Sequence, residues 1–341
     1  MSIWQLRLFL SCSTGYGFSK SSDETFEIAL DRPRCVRILF AILMTACQEG
    51  NRIPSGKYRI RRWQVLYFHE LGIKRKEEDT MENAVKFREK LRNGQIPLGC
   101  GVSFKDPTVT ELFSHVLDFV WIDMEHNALS LESVQDHIMA TRGSDSAAIV
   151  RVPWNDPVLI KPVLDIGADG IIAPLVRSAE DVRLAVSACR YPPQGIRGFG
   201  PRRPIRYGRI SDAEYCQRAN DEIICIAQIE HIDAVEAMDE IVKVDGLTAV
   251  VIGANDLAGS MGHMGNPQHA DVQSAIEKVV TTAKDAGIYP GIGMVGDTEV
   301  FQKWLDKGIQ WVQVGVDWWH LANSIDTSVG QLRQGISSRN A

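Results

Sequence analysis

No two of the seven cysteines form a Cys-x-x-Cys pair, and their number is odd. This pattern is typical of a protein in a reducing compartment, and it argues against a disulfide framework or a structural zinc site. Cys189 and Cys225 lie inside apolar runs, where a thiol usually acts as a small core side chain. We therefore expect a cytoplasmic protein.

The first part of the sequence has no apolar run long enough to cross a bilayer, which requires ~20 apolar residues. Its longest run covers residues 35–47 and is interrupted by Arg37. Residues 1–12 contain a weak apolar run, one early basic residue, Arg7, and no clear cleavage site. A signal or targeting segment stays open as the less favoured interpretation, and no membrane partner is expected.

Basic residues are not in excess, because 37 Lys and Arg stand against 43 Asp and Glu, for a net charge of -6. A general affinity for nucleic acid is therefore not expected. Residues 1–80 hold 13 basic and 9 acidic residues, whereas the remainder holds 24 and 34. Residues 1–80 also show no sustained hydrophobic period. We predict an N-terminal extension over 1–80, poorly ordered or used for targeting, and a folded domain over 81–341.

From Met81 onward, short apolar runs alternate with segments of helical period, such as 81–93 and 179–189. This alternation is typical of parallel β/α units, and eight units in about 220 residues match a TIM-type (β/α)8 barrel. The predicted strands are 97–102, 119–123, 147–151, 170–173, 223–229, 247–253, 289–293 and 311–315. An open doubly wound sheet is the alternative, but no Gly-x-Gly-x-x-Gly follows the first strand.

One connection, over residues 191–220, is longer than the others and mixes arginines with glycines and aromatic residues. Connections of this length are usually functional or disordered. We expect its arginines to contact an anionic ligand or another subunit, with a solvated surface loop as the alternative. They are Arg197, Arg202, Arg203 and Arg206.

Two acids follow neighbouring strands of the predicted barrel. Polar groups at the C-terminal ends of barrel strands face the active site, because the βα loops gather there. Glu230 follows the fifth predicted strand and Asp256 follows the sixth, so their carboxylates can converge. Two hard oxygen ligands with open positions suit Mg2+ or Mn2+. The alternative is that both acids only cap helices.

The second predicted strand ends at Asp123, with Glu125 and His126 just beyond it, and the third strand ends at Arg151. A carboxylate beside an imidazole fixes its tautomer and raises its basicity, so Asp123 and His126 could form an acid–base pair. Glu125 could orient the loop or bind a metal through water. The Arg151 guanidinium could hold a carboxylate or enolate oxygen, or it could pair with a neighbouring acid.

Six motifs in this order, with matching gaps, resemble the HpcH/HpaI aldolase family over about residues 83–325. They are IDMEH at 122–126, VRVPWNDP at 150–157, RYPPQGIRG at 190–198, QIE at 228–230, IGANDL at 252–257 and VGVD at 314–317. The resemblance implies a barrel of the phosphoenolpyruvate/pyruvate type. It also implies a class II aldolase that cleaves a 4-hydroxy-2-oxo acid, such as a 2-keto-3-deoxy sugar acid or 4-hydroxy-2-oxoheptanedioate, into pyruvate and an aldehyde.

The same resemblance assigns roles to residues at the strand ends. It implies a divalent cation (Mg2+, Mn2+ or Co2+) on Glu230 and Asp256. It implies a catalytic base at His126 with Asp123 behind it. An enolate contact at Arg151, with Gln228 beside the substrate, completes the implied set.

Other implications concern the pocket and the assembly. Asn255 and Asp256 lie where backbone amides help to hold the pyruvate carboxylate in the family. Two departures affect this pocket, because Ala254 stands where proline is common and Asn255 where a small residue is common. The resemblance also implies a homo-oligomer, a hexamer in which each subunit exchanges its last helix with a neighbour. Residues 1–80 have no counterpart in the family.

Lysines are scarce at the predicted strand ends. Carbon–carbon cleavage through a Schiff base needs an amine at such an end, in a dry pocket. Only Lys105 lies just past a strand, and it sits in a polar turn before Pro107. Metal chemistry is therefore favoured over imine chemistry.

Three alternatives to the aldolase stay open. A macrophomate-synthase-like lyase or decarboxylase could use a pyruvate enolate in secondary metabolism. A related lyase could act on acyl-CoA esters, although no clear basic groove for CoA is visible in the sequence. A non-enzymatic barrel used for assembly is the third, and it would not need Asp123, His126, Arg151, Glu230 and Asp256 together.

Overall fold

Eight parallel strands close into a barrel in which each strand pairs with its neighbours in sequence and β8 returns to β1. The computed structural model describes residues 81–296 and 298–339. The strands are β1 (Leu98–Val102), β2 (Phe119–Asp123), β3 (Ala147–Arg151), β4 (Gly170–Val176), β5 (Ile224–Ile229), β6 (Ala249–Ile252), β7 (Tyr289–Met294) and β8 (Trp311–Val316). The predicted (β/α)8 barrel is confirmed, and the open sheet is wrong.

Helices alternate with these strands and cover the outside of the barrel. Serine side chains begin several of them, as at Ser178, which accepts from Asp181 N while the Asp181 carboxylate accepts from Ser178 N. The helices are α1 (Glu82–Arg92), α2 (Thr108–Ser114), α3 (Leu131–Ala140), α4 (Pro157–Asp165), α5 (Ala179–Cys189), α6 (Asp212–Glu222), α7 (Ile232–Glu236), α8 (Met238–Ile241), α9 (Ala254–Ser260), α10 (Ala270–Asp285), α11 (Thr298–Asp306) and α12 (Asp317–Ser337).

Aromatic rings fill the N-terminal end of the barrel. Phe119 and Trp311, the first residues of β2 and β8, are fully buried, with ring centres 5.6 Å apart. Phe87 of α1 packs edge-on against both, at 5.5 and 6.3 Å. A Cβ atom at Gly291 would overlap the Trp311 indole, so β7 needs glycine there. This packing leaves the C-terminal ends of the strands as the end available for chemistry.

The connection after α5 was predicted to be a single loop. In the structure it contains a helix, α6. Ser211 begins α6 by accepting from Glu214 N at 3.2 Å. A serine followed three residues later by glutamate is a known helix-start pattern, and it was the available sequence signal.

The arginines of this connection also differ from expectation. Arg197 is buried, donates to Asp165 Oδ1 at 2.9 Å, and lies 4.5 Å from the centre of the Tyr191 ring. The expectation that it contacts a ligand or another subunit is therefore wrong. Arg203 donates to the backbone oxygen of Ile166 at 3.0 Å, which gives it a structural partner. For Arg202 and Arg206 the expectation stays a prediction.

The predicted extension over residues 1–80 lies outside the described residues, so its expectations stay predictions. Cys189 and Cys225 are buried, in agreement with their expected place in the core. Within 81–296 and 298–339, no helix combines the length and the apolar character needed to cross a membrane.

Candidate active site

Most of the predicted site residues lie on or just after the C-terminal ends of strands. Asp123 and Arg151 are the last residues of β2 and β3, and they are paired across the two strands. Gln228 lies in β5 and Glu230 follows it. The remaining site residues lie on connections and helix starts: His126 after β2, and Asn255 and Asp256 in the first turn of α9 after β6. The barrel therefore gathers residues distant in sequence at one end.

Arg151 is held in a fixed orientation by Asp123. Its Nε and Nη2 atoms donate to the two carboxylate oxygens of Asp123, both at 2.8 Å. The same carboxylate accepts from Asn127 Nδ2 at 2.7 Å. The guanidinium also lies 5.2 Å from the centre of the Trp121 ring. Two parallel hydrogen bonds fix both the position and the plane of the guanidinium.

The remaining terminal nitrogen of Arg151 points at two other site residues. Nη1 lies 3.3 Å from Gln228 Oε1 and 3.2 Å from Glu125 Oε2. Glu125 Oε2 is buried, and its geometry to Arg151 is that of an ion pair without hydrogen-bond alignment. Burial raises the pKa of Glu125, whereas the Arg151 charge lowers it and the Glu230 charge raises it further.

Glu230 is buried at the centre of the site and has a partner for each oxygen. Oε1 accepts from Leu175 N at 2.7 Å, and Oε2 accepts from Gln228 Nε2. Burial is the largest influence on its carboxyl group and raises its pKa, and the charge of Asp256 also raises it. The bonds from Gln228 and Leu175 and the Arg151 charge act in the opposite direction.

The backbone partner of Glu230 comes from an irregular part of β4 that the sequence analysis did not find. Leu175 has a φ of 55°, in the left-handed region that a leucine rarely adopts. The pairing of β4 with β5 shifts between Ala173 and Val176, so the strand bulges at this point. The predicted strand ended at Ala173, just before Pro174. The bulge turns the Leu175 amide toward the Glu230 carboxylate.

Gly253 allows β6 to approach Glu230 closely. A Cβ atom at this position would lie 2.7 Å from Glu230 Cβ and 2.9 Å from Glu230 Oε2. Asn255 and Asp256 lie two and three residues further along the chain and are exposed, so ligands can reach them. The close approach explains why glycine precedes these two residues.

His126 lies at the rim of the site, with 61% of its side chain exposed. Its Nε2 is 3.8 Å from Glu125 Oε2. Asp123, which was expected to stand behind the imidazole, is bonded instead to Arg151 and Asn127. Arg151 lies directly across from Asp123 in the barrel register, which accounts for this pairing.

Four carboxylates and one guanidinium lie at this end of the barrel, and the guanidinium contacts two of the four, Asp123 and Glu125. Asp123 and Glu125 share the single positive charge of Arg151, and the charge of Asp256 acts on the buried Glu230 carboxylate. Buried or clustered negative charges are costly unless a cation offsets them. The donor set is made of oxygens only, which is the set that hard divalent cations prefer. Glu230 and Asp256 supply carboxylate oxygens to this set.

Residues 102–324 match the HpcH/HpaI aldolase/citrate lyase family. The chain belongs to this family. It is 40% identical over 240 residues to the 4-hydroxy-2-oxo-heptane-1,7-dioate aldolase of Klebsiella pneumoniae, covering 70% of this chain and 89% of that protein. It is 38% identical over 250 residues to the hydroxypyruvate/pyruvate aldolase of Roseovarius nubinhibens, covering 72% and 96%.

Among solved structures, that of macrophomate synthase superposes with a TM-score of 0.67 at 26% identity, covering 75% of this chain and 90% of that one. The HpcH/HpaI resemblance seen in the sequence is confirmed, as is the expectation of an enzyme of the carbon–carbon lyase type. The similar proteins differ in their named substrates, so membership in the family leaves the substrate open.

Proposed function

We propose that the protein is a divalent-metal-dependent class II aldolase that cleaves a 4-hydroxy-2-oxo acid into pyruvate and an aldehyde. The acid-rich cluster around one oriented guanidinium carries this proposal. Glu230 and Asp256 would hold the cation, as Mg2+, Mn2+ or Co2+. When bound, the cation would supply Lewis-acid stabilisation to the substrate oxygens. A non-enzymatic barrel does not account for the partly uncompensated charge.

The protein's own residues would position the pyruvate part of the substrate. Arg151 cannot turn away, because Asp123 holds two of its nitrogens. Its Nη1 would donate to the oxygen on which negative charge develops as the enolate forms, which is stabilisation by a preorganised donor. Gln228 lies beside this nitrogen and would border the same oxygen. Backbone amides at Asn255 and Asp256 would hold the carboxylate.

Cleavage of the C3–C4 bond requires a base for the proton of the C4 hydroxyl group. His126 would accept the proton of the C4 hydroxyl group through a ring nitrogen as the C3–C4 bond breaks. The electron pair of that bond moves to C3 and forms the enolate, while C4 becomes the aldehyde carbon. Transfer of a proton from water to C3 then gives pyruvate, and His126 releases the proton it accepted to the solvent. The exposed position of His126 leaves its imidazole accessible to the substrate.

A pyruvate-release assay on a panel of 4-hydroxy-2-oxo acids tests the proposal. Activity should disappear with EDTA and return with added Mg2+, Mn2+ or Co2+. Glu230→Gln and Asp256→Asn should both need far more cation for the same rate. Glu236→Gln, an exposed acid on α7, is the matched control and should behave like the unchanged protein. Full activity after exhaustive EDTA treatment would refute the metal-dependent mechanism.

A second candidate function is a condensation or decarboxylation that uses a pyruvate enolate, favoured by the similarity to the macrophomate synthase structure. The same site would form the enolate from oxaloacetate, with release of carbon dioxide. Enolate capture by an added acceptor, without aldol cleavage of any panel member, would favour this function.

We also propose that the chain forms a homo-oligomer, with a hexamer as the expected size. Asp317 is the only residue of α12 that is buried. The helix exposes a row of apolar side chains spaced three or four residues apart. A row at this spacing lies on one face of a helix and needs an apolar partner. The row consists of Trp318, Leu321, Ile325, Val329, Leu332 and Ile336.

A cytoplasmic location stays a prediction from the cysteine pattern.

A further inference from the structure

Two histidines and an aspartate meet between α9 and α10, outside the site described above. His263 lies in the connection, His269 is the residue before α10, and Asp271 lies in the first turn of α10. Their potential ligand atoms all lie within 4.8 Å of one another. Across residues 81–296 and 298–339, this is the one group of at least three such side chains with that spacing.

The separations within the group suit a shared ion better than direct hydrogen bonds. Asp271 Oδ2 lies 3.6 Å from His263 Nε2 and 3.6 Å from His269 Nδ1. Two ligand atoms at 2.0–2.1 Å from a tetrahedral zinc ion are roughly 3.3 Å apart. The observed distances need an adjustment of only a few tenths of an ångström. The Asp271 carboxylate therefore lies close to the required distance from each imidazole.

The backbone around the two imidazoles is ordered by hydrogen bonds. His263 N donates to Ala258 O at 2.7 Å, and Asn266 N donates to His263 O at 2.9 Å. His269 N in turn donates to Asn266 O at 3.1 Å. The two rings are stacked, with centres 3.6 Å apart and planes 15° from parallel. Because a metal ion lies in the plane of each imidazole that binds it, one of the stacked rings would turn about its side-chain bonds to share the ion.

The donor chemistry differs from that of the proposed catalytic pair. Glu230 and Asp256 offer oxygens only, whereas this group offers two imidazole nitrogens and one carboxylate. Imidazole suits zinc, copper and nickel, whereas magnesium prefers oxygen ligands. The two positions should therefore select different ions from a mixture.

We propose that His263, His269 and Asp271 form a second metal site. It binds one zinc ion and restrains the conformation of the connection between α9 and α10. Water would complete the coordination, since two ligands are only partly buried and Asp271 is exposed. His269 Nδ1 accepts a long hydrogen bond from Asp271 N at 3.3 Å. The ion would take the place of this backbone N–H at Nδ1. The connection contains Gly262 and Gly265 at positive φ, so a bound ion would restrict the backbone motion of a segment rich in glycine.

Zinc titration of the full-length protein in excess Mg2+ tests this proposal. The unchanged protein should bind one more zinc ion than His263→Ala or His269→Asn, and asparagine at 269 preserves a helix-starting side chain. Loss of either imidazole should weaken zinc binding by more than ~10-fold, because even outer partners of metal ligands contribute that much. His115→Ala, a histidine elsewhere in the chain, is the matched control.

Thermal unfolding gives a second readout that does not depend on catalysis. Zinc should raise the melting temperature of the unchanged protein and of His115→Ala in the presence of Mg2+, and it should have less effect on the two variants. If His263→Ala does not fold, His263→Gln serves in its place. Equal zinc stoichiometry and affinity in all variants would overturn the proposal. Pyruvate release with Mg2+ is measured separately, so the outcome of that assay does not decide whether the zinc site exists.

Discussion

The pairing of Asp123 with Arg151 changes what each residue is expected to do. From sequence, Asp123 was placed behind His126, where its loss would affect mainly the base. In the structure both of its oxygens are bonded to Arg151. We therefore expect Asp123 to position the guanidinium, so that its substitution resembles loss of Arg151.

Asp123→Asn tests this role. We expect the KM for the 4-hydroxy-2-oxo acid to rise and kcat to fall, because an amide can satisfy only one of the two guanidinium N–H groups now bonded. Arg151→Ala should show the same pattern more strongly. Binding of pyruvate alone, measured by titration, should weaken in both. If the Asp123→Asn variant bound pyruvate normally, Asp123 would instead be assigned the role of supporting the His126 imidazole.

His126→Ala tests the base. Aldol cleavage should fall by about 10²–10⁴, the usual contribution of a positioned general base, while pyruvate binding stays nearly intact. Oxaloacetate decarboxylation forms the same enolate without a hydroxyl proton to remove, so it should fall much less. Equal losses in both reactions would show that His126 has a structural or metal-binding role.

At the scale of single elements, the buried start of β4 predicts a dependence of stability on pH. Asp169 precedes β4, accepts from Ala148 N at 2.8 Å, and is buried. Burial raises the pKa of Asp169 to about 6, against the effect of that hydrogen bond. The folded protein therefore retains a proton that the unfolded chain releases between about pH 4 and 6, so stability falls as pH rises through that window.

Asp169→Asn should remove this dependence. The free energy of unfolding of the variant, relative to the unchanged protein, should increase from pH 4 to pH 7 by up to about 3 kcal/mol. Urea unfolding at several pH values measures the difference. Asp239→Asn, at an exposed position on α8, controls for a general effect of charge removal. A difference that does not vary with pH would show that Asp169 titrates normally.

The regular elements could be predicted from sequence because their hydrophobic pattern is local. The bounds of β2 and β3 agree with prediction at both ends, and α5 agrees over Ala179–Cys189. β4 continues past its predicted end because a bulge admits Leu175, which no periodic pattern reveals. α6 was missed because its residues are mostly polar, with Tyr215 and Ala219 as its buried positions.

The candidate site could be predicted as a set of residues but not as a set of contacts. Strand ends identified Asp123, Arg151, Glu230 and Asp256, because the barrel brings such ends together. The partner of each side chain depends on lateral register and on backbone groups such as the Leu175 amide. Those features lie in tertiary structure, so sequence alone placed Asp123 behind His126 and left the pairing of Arg151 with a neighbouring acid as an alternative.

At the scale of the whole molecule, α1 defines where the barrel unit should begin. Its Phe87 is fully buried against Phe119 and Trp311 at the N-terminal end of the barrel. Arg88 of the same helix donates to Thr248 Oγ1 at 2.8 Å, which ties α1 to the residue before β6. Any independently folding unit should therefore include α1.

A chain that starts at Met81 should be soluble and active and should unfold cooperatively. A chain that starts at Gln95 is the control, and it should lose cooperative unfolding because the Phe87 contacts are gone. Loss of a buried phenylalanine side chain alone typically costs about 3–5 kcal/mol. Circular dichroism melting and pyruvate release measure both chains. Failure of the chain from Met81 would show that residues 1–80 belong to the folded unit.

The apolar row on α12 predicts a change of assembly on substitution. Leu321→Glu together with Ile325→Glu should convert the oligomer to smaller species, because two charges would be buried at the interface. Light scattering after size exclusion measures the mass. Thr327→Glu with Gln334→Glu, on the opposite face of the helix, is the control and should leave the mass unchanged. A monomeric unchanged protein would contradict the proposed assembly.

The two bonds from Arg151 to Asp123 also limit how many points of recognition the guanidinium can offer a substrate. Asp123 accepts from the N–H of Nε and from one N–H of Nη2, and Gln228 accepts from Nη1, so three of the five N–H groups of Arg151 are already bonded within the protein. The two N–H groups that remain are suited to the oxygens of the 2-oxo acid part, which every candidate substrate possesses. Discrimination among aldehydes must then come from the surrounding loops or a neighbouring subunit, and a broad tolerance toward the aldehyde half follows.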